Sequence, residues 1–236
     1  MIIITHSHWD HTQGMIFFQK IAEEQKISPI KVLVSEKAIP YLNNQSYNQC
    51  FVQEELYSDY LNIPDVSPLK DKQEIKLSDS FLLEIHETPG HMVDHISVYD
   101  KQNSALFVGD TPGMQWIRDF YVCNANSIYW EEKDYLESIK KIRSFDLEYL
   151  CIAHFGVITG EDITNFLDKS ISMYNEWMKF FDQRSSKLDD IPFLLDELWK
   201  TIYQDFSNMP QLKISLKAAI INAVTYYKNL KQIKLT

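Results

Sequence analysis

The chain has 236 residues, 45% hydrophobic and 24% charged, the composition of a globular fold that buries a core without disulfides. Its formal net charge of -10 argues against a nucleic-acid partner held over a wide phosphate surface. No apolar run approaches the roughly 20 residues that span a bilayer, so no membrane partner is expected, and the start MIIITHSH lacks the basic flank and length of a signal peptide. Cys50, Cys123 and Cys151 are odd in number and lack CxxC spacing, which reads as reduced thiols in a cytoplasmic protein.

Residues 1–5 read as a strand, with Ile2, Ile3 and Ile4 β-branched and apolar enough to be covered on both faces. The polar HSHWDHTQG that follows reads as a loop. Residues 14–26 read as a helix, with Met15, Phe18 and Ala22 on one face and Ile21 beside them. Residues 31–35 form a short strand and 36–42 a short helix. Residues 43–72 carry Pro64 and Pro68 and read as a loop with a helical piece around 51–60. Strands return at 81–87, 96–100 and 105–109, bounded by turn residues. A helix follows at 133–143 and a strand at 147–153. Beyond Gly160 there is no further glycine, and 161–184, 188–206 and 211–232 keep helical periodicity, with Pro192 and Pro210 at helix starts or kinks. The expected organisation is an α/β part over 1–160 and a helical extension over 161–236. The extension is expected to pack on the α/β part and to form part of a pocket mouth or a homodimer contact.

His6-Ser7-His8-Trp9-Asp10-His11 places three imidazoles and a carboxylate within six residues, directly after the first strand. In extended backbone, residues two apart share a face, so His6 and His8 can grip one ion and leave Asp10 and His11 for a second. Imidazole with carboxylate suits zinc, and iron or manganese less selectively. Three more candidates each follow an apolar strand: His91 after the Pro89-Gly90 turn, Asp110 after Gly109, and His154 after YLCIA. A lone strand-end Asp is usually a turn former. Ligand types at four strand ends, each a rigid platform, point instead to a common metal site.

HxHxDH, a His after Pro-Gly, an Asp after Gly and a late His, in that order, resemble the metallo-β-lactamase superfamily. TPGHMVDHIS, LFVGDTPG and AHFG look like its glyoxalase II-like hydrolase branch. The resemblance covers residues 1 to about 170 firmly and the rest loosely. It implies an αββα sandwich with ligands at one edge of two facing sheets. It also implies that His6, His8 and His91 hold one metal, that Asp10, His11 and His154 hold a second, and that Asp110 bridges them. A metal-bridging hydroxide would then attack the carbonyl of a small-molecule ester, thioester or lactone, with Asp10 as the catalytic residue that orients it and passes its proton. Two zinc ions are the expected cofactors, with iron or manganese as alternatives. His95 matches the family's second His and is expected to hydrogen-bond a ligand from behind. Phosphodiester cleavage, iron-dependent dioxygenase chemistry and an inactive truncated homologue are the rival functions.

Relatives in that superfamily place several strands and a helix before the strand that ends in HxHxDH. Here that strand starts at Met1, so the chain reads as incomplete at its N-terminus. A short first sheet is expected, with residues 1–5 at an unprotected edge or covered by the C-terminal helices. His86, mid-strand in LLEIHE, reads as structural, and Trp9 either walls the pocket or packs. Phe51, Tyr57, Tyr60, Met173, Tyr174, Trp177 and Phe180 read as core rather than as a substrate cleft.

Overall fold

Two β-sheets face each other across an apolar layer in the computed structural model, which describes residues 1–43, 66–117, 120–123, 125, 127, 129–154 and 156–231. The chain opens with β1 (Ile2–Ile3), a single helical turn α1 (Trp9–Thr12), and α2 (Met15–Glu24), which carries it back to β2 (Val32–Ser35). A crossover is what parallel strands require, and β2 pairs parallel to β1. After a 3-10 turn and the short α3 (Ile39–Leu42), β3 (Val66–Leu69) adds parallel to β2 and completes a sheet ordered β1-β2-β3.

The second sheet is built from β4 (Glu74–Ser78), β5 (Phe81–Glu87), β6 (Ile96–Asp100) and β7 (Ala105–Gly109). A small hairpin, β8 (Met114–Ile117) with β9 (Phe120–Val122), and α4 (Glu132–Arg143) then lead to β10 (Tyr149–Ile152) and β11 (Gly156–Thr159). The order is β11-β10-β7-β6-β5-β4, antiparallel except for β7 and β10. Strand alternation sorts the apolar residues. Leu83, Ile85, Ile96 and Val98 meet Leu33 and Leu69 between the sheets, with Ile3 beside them. Leu106, Val108, Leu150 and Ile152 face the helices on the other side.

The extension forms three helices, α5 (Asp162–Asp182), α6 (Ile191–Thr201) and α7 (Pro210–Leu230). Their buried Phe166, Trp177, Phe181, Leu194, Leu198 and Ile220 share one core cluster with the outer face of the second sheet and with α4. Met173, Tyr174, Trp177 and Phe180 belong to that core, as their spacing suggested; Phe51, Tyr57 and Tyr60 lie outside the described residues, as does the helical piece expected at 51–60. Among the described residues, no helix is long and apolar enough to cross a membrane.

Several expectations need correction. The stretch after the first strand is not all loop, since Trp9–Thr12 makes one helical turn. The interval 43–72 contains β3, and its Pro68 is tolerated because β3 is an edge strand that pairs on one side only. β4, β8, β9 and β11 were also unforeseen, being three to five residues long and mostly at sheet edges or in a separate hairpin. Helix 188–206 breaks after Thr201 and resumes as a 3-10 turn at Gln204–Phe206. Burial of the first strand on both faces holds at Ile4, but Ile2 and Ile3 are only half-buried. β1 is the edge of its sheet, and a narrow sheet covers little of α2: Met15 and Ala22 are buried, whereas Phe17, Phe18 and Ile21 are exposed.

Candidate metal centre

Four strand ends deliver the candidate ligands to one place. The turn after β1 carries His6 and His8, and α1 turns Asp10 and His11 towards the same point. β5 ends in Thr88-Pro89-Gly90-His91. Pro89 O accepts from Ser138 Oγ (2.6 Å) and Gly90 O accepts from Glu131 N (3.0 Å), so the turn is fastened to the middle of α4 and to the residue before it. β7 and β10 run parallel as neighbours, which brings Asp110 and His154 out at the same end.

The turn at Gly90 admits no side chain. Its φ is +131°, and an added Cβ would stand 2.5 Å from Tyr135 Cα and 2.7 Å from Tyr135 N, both backbone atoms. Gly90→Ala is therefore expected to cost about 3 kcal/mol or more from backbone strain and overpacking together. For a chain of this size that lowers the melting temperature by roughly 6–12 °C. Thermal unfolding followed by circular dichroism checks it, and an unchanged melting temperature would refute this account of the turn.

The side chains form two trios that share one oxygen. His6 Nε2 lies 3.1 Å from His8 Nδ1, which lies 2.9 Å from His91 Nε2. Asp110 Oδ2 stands 3.9 Å from His6 Nε2 and 3.8 Å from His91 Nε2. The same oxygen stands 3.3 Å from His11 Nε2 and 3.3 Å from His154 Nε2. Asp10 Oδ2 completes the second trio, 3.5 Å from His11 Nε2 and 3.7 Å from His154 Nε2. All seven sequence-nominated residues thus come together, although they span positions 6 to 154. The trios differ in exposure. The side chains of His6 and His91 are 0% and 3% exposed, whereas those of Asp10 and His154 are 24% and 28% exposed. Solvent reaches the site from the second trio.

The donors fit a cation. Nitrogens bound to one zinc at about 2.0–2.1 Å in a tetrahedron stand about 3.3 Å apart, close to the spacing of the first trio. Asp10 Oδ1 and Asp110 Oδ1 are buried with no hydrogen-bond partner among the described residues, a costly state that a cation relieves. Burial, with the neighbouring imidazoles, holds His6 and His8 well below the usual histidine pKa, in the neutral form that a ligand must have. Burial pushes Asp110 up, but His11 and His154 beside it outweigh burial and hold it well below the usual carboxylate range. Burial depresses His11, yet Asp110 raises it on balance, and a hydrogen bond to Asp110 raises His154.

His95 hydrogen-bonds a nominated ligand from behind, through that residue's backbone: Asp110 N donates to His95 Nε2 (3.1 Å), and the His95 ring lies 5.0 Å from that of His6. That bond leaves the ring proton on Nδ1, which faces Thr88 Oγ1 at 3.0 Å, and Thr88 Oγ1 pairs with Ser97 Oγ at 2.8 Å. Burial and the nearby His91 push the His95 pKa down to about 3. The ring lies so close that a Cβ on Gly109, at φ +52°, would strike His95 Nε2, which explains the glycine before Asp110. His86 is remote from this network: it packs on Phe145 with ring centroids 4.8 Å apart and lies 3.2 Å from Glu84 Oε1. Trp9 is half-buried beside the ligands.

Sequence reasoning missed Asp94. Its side chain is fully buried, its Oδ2 accepts from Ser7 N (2.8 Å), and burial pushes its pKa up to about 6. Its partner is a backbone amide 87 positions away, so no side-chain pattern announced it.

Comparison with known proteins agrees with this geometry. A family model described as the metallo-beta-lactamase superfamily matches residues 2–154. The Beta-lactamase-like protein 2 homolog of Caenorhabditis elegans is 24% identical over 180 residues, 75% of this chain and 50% of that protein. The chain thus spans about half the length of that curated relative. An archaeal metallo-beta-lactamase superfamily protein from Sulfolobus tokodaii has a similar fold (TM-score 0.53, 22% identity), with 71% of this chain and 66% of that one covered. So does a metallo-beta-lactamase from Pontibacter korlensis (TM-score 0.52, 18% identity), with 73% and 67% covered. Members of the superfamily bind divalent metals and are mostly metal-dependent hydrolases. With well over half of its length matched by the family model, the chain belongs to the metallo-beta-lactamase superfamily.

Proposed function

We propose that this chain is a dinuclear metal-dependent hydrolase of small esters, thioesters or lactones, on the glyoxalase II-like side of its superfamily. The observation that carries the reading is one oxygen, Asp110 Oδ2, standing within 3.9 Å of donors from both trios. His6, His8 and His91 would hold one cation, Asp10, His11 and His154 the other, and Asp110 would be shared. Zinc suits this mixture of imidazole and carboxylate best, while iron and manganese accept the same donors. When bound, such a pair polarises a carbonyl and lowers the pKa of water towards about 7, so no Ser or Cys nucleophile is required.

The chain's own residues divide the remaining work. The buried first trio would fix one side of the site; Thr5 Oγ1, 3.2 Å from His6 Nδ1, helps to hold that ring. The second trio leaves an open rim, and Asp10 on that rim would be available to accept a proton from a metal-activated water. A small substrate accords with the net charge of -10, which disfavours a long polyanion.

The deciding experiment is metal analysis of the purified protein combined with a panel of thioesters, lactones and phosphodiesters. A pair of divalent ions per chain is expected, with turnover of an ester-like substrate. Chelation is expected to abolish turnover, and zinc, manganese or iron to restore it. Full activity in metal-free protein would sink the mechanism, and turnover of the phosphodiesters alone would reassign the substrate.

A further inference from the structure

We propose that Asp94 is a positioning residue of the centre, holding the His6-Ser7-His8 turn in register by accepting the Ser7 N–H. The inference rests on the metal-binding reading above and adds to it a residue outside the ligand set. His6 and His8 flank Ser7, and both aim ring nitrogens inward at the first trio. The Ser7 amide between them points away from that trio and into Asp94 Oδ2 at 2.8 Å. Without this acceptor a backbone N–H would be orphaned beneath the ligand turn, because Ser7 is fully buried.

The neighbouring residue does the matching task on the other side. His95 accepts the Asp110 N–H, and the same short segment carries His91 three positions before Asp94. The dipeptide Asp94-His95 therefore ties three ligand-bearing segments together: its own, the turn after β1, and the turn after β7. The first of those ties matters most. β1 is only two residues long and lies at a sheet edge, so its ladder alone does little to fix the turn that follows.

The well-formed bond of this carboxylate goes to the backbone of the ligand turn, while Asp94 Oδ1 and Ser7 Oγ lie buried beside it. Removing the acceptor would leave a buried amide unpaired between His6 and His8, so the loss falls on the turn that carries both rings.

The test compares Asp94→Asn, Asp94→Ala and Asp94→Leu in the full chain. Zinc affinity is read by competition with a chromophoric chelator, and the visible spectrum is read after cobalt(II) substitution. Thermal unfolding of the metal-free protein is read in parallel. Asp94→Asn keeps an acceptor oxygen and is expected to retain zinc binding and the wild-type cobalt spectrum. Asp94→Ala and Asp94→Leu are expected to bind zinc about 10–100-fold more weakly, the range for residues that orient a ligand. Asp94→Leu fills the vacated space, so its metal-free protein is expected to unfold at a higher temperature than Asp94→Ala, though below wild type because the Ser7 N–H stays unpaired. Unchanged zinc affinity in Asp94→Leu, with wild type binding normally, would overturn the positioning role alone. Wild-type protein that binds no zinc, manganese or iron would overturn the metal centre and this role with it.

Discussion

Asp110→Ala is expected to reduce the bound metal from a pair of ions to one or fewer and to lower hydrolysis by more than about 100-fold, beyond the usual loss for a residue that merely supports a ligand. Asp110 is the nominated carboxylate that stands between the trios, with Oδ2 between 3.3 and 3.9 Å from His6, His11, His91 and His154 nitrogens. Its position is fixed twice, by His95 at its amide and by Gly113 N, which donates to its carbonyl at 2.9 Å. With two cations bound, removing the carboxylate would take away the protein anion nominated to sit between them and leave their repulsion less offset. At a few ångströms and reduced dielectric, that repulsion amounts to several kcal/mol. Asp110→Asn keeps the shape but not the charge and is expected to fall between wild type and Asp110→Ala. Elemental analysis of each purified variant, with steady-state rates on the substrate found by the panel, decides the matter. Circular dichroism separates loss of metal from loss of fold. A full complement of metal in Asp110→Ala would refute the shared-oxygen reading.

Much of this site was legible in the sequence because the nominated residues sit where the signal is strongest. The turn after the first strand holds four ligand-type side chains in six residues, and apolar strands precede His91, Asp110 and His154, so chemistry and local structure coincide. Gly90 was legible as a turn residue and Gly109 as a strand end, but the reasons for either glycine were not. Those reasons are the backbone of Tyr135 and the ring of His95, which only tertiary packing brings near. Asp94 was hidden for the same cause, since its partner is a distant backbone amide, whereas the bond expected from His95 to a nominated ligand is present at the Asp110 amide. In the fold, the long periodic helices were read closely, whereas β3, β4, β8 and β11 escaped notice. Strands of four or five residues carry too few alternations to stand out, and Pro68 argues against a strand unless its edge position is known.

Deleting residues 161–236 is expected to turn the protein insoluble rather than to release a working catalytic part. The outer face of the second sheet presents Leu106, Val108, Leu150 and Ile152, and these pack into the same cluster as Phe166, Leu167, Trp177 and Phe181 of α5. Removing the helices would bare that face together with Phe120, Val122 and Tyr135, a contiguous apolar surface larger than soluble proteins expose. Polar ties would be lost as well. Tyr203 Oη donates to Tyr121 O at 2.8 Å and accepts from Trp177 Nε1 at 3.2 Å, so the region after α6 holds the β8–β9 hairpin. Ser170 Oγ bonds Tyr135 Oη at 2.8 Å and donates to Pro112 O, two residues beyond Asp110, so α5 also braces the turn that carries Asp110. A milder probe of the same packing is Trp177→Ala, whose side chain is fully buried. It is expected to cost about 3–5 kcal/mol and to lower the melting temperature by roughly 6–20 °C. The decisive measurement expresses residues 1–160 and follows their partition between supernatant and pellet, with zinc content measured on whatever stays soluble. A soluble fragment with full metal and full activity would show that the helices are a separate module and that the centre stands without them.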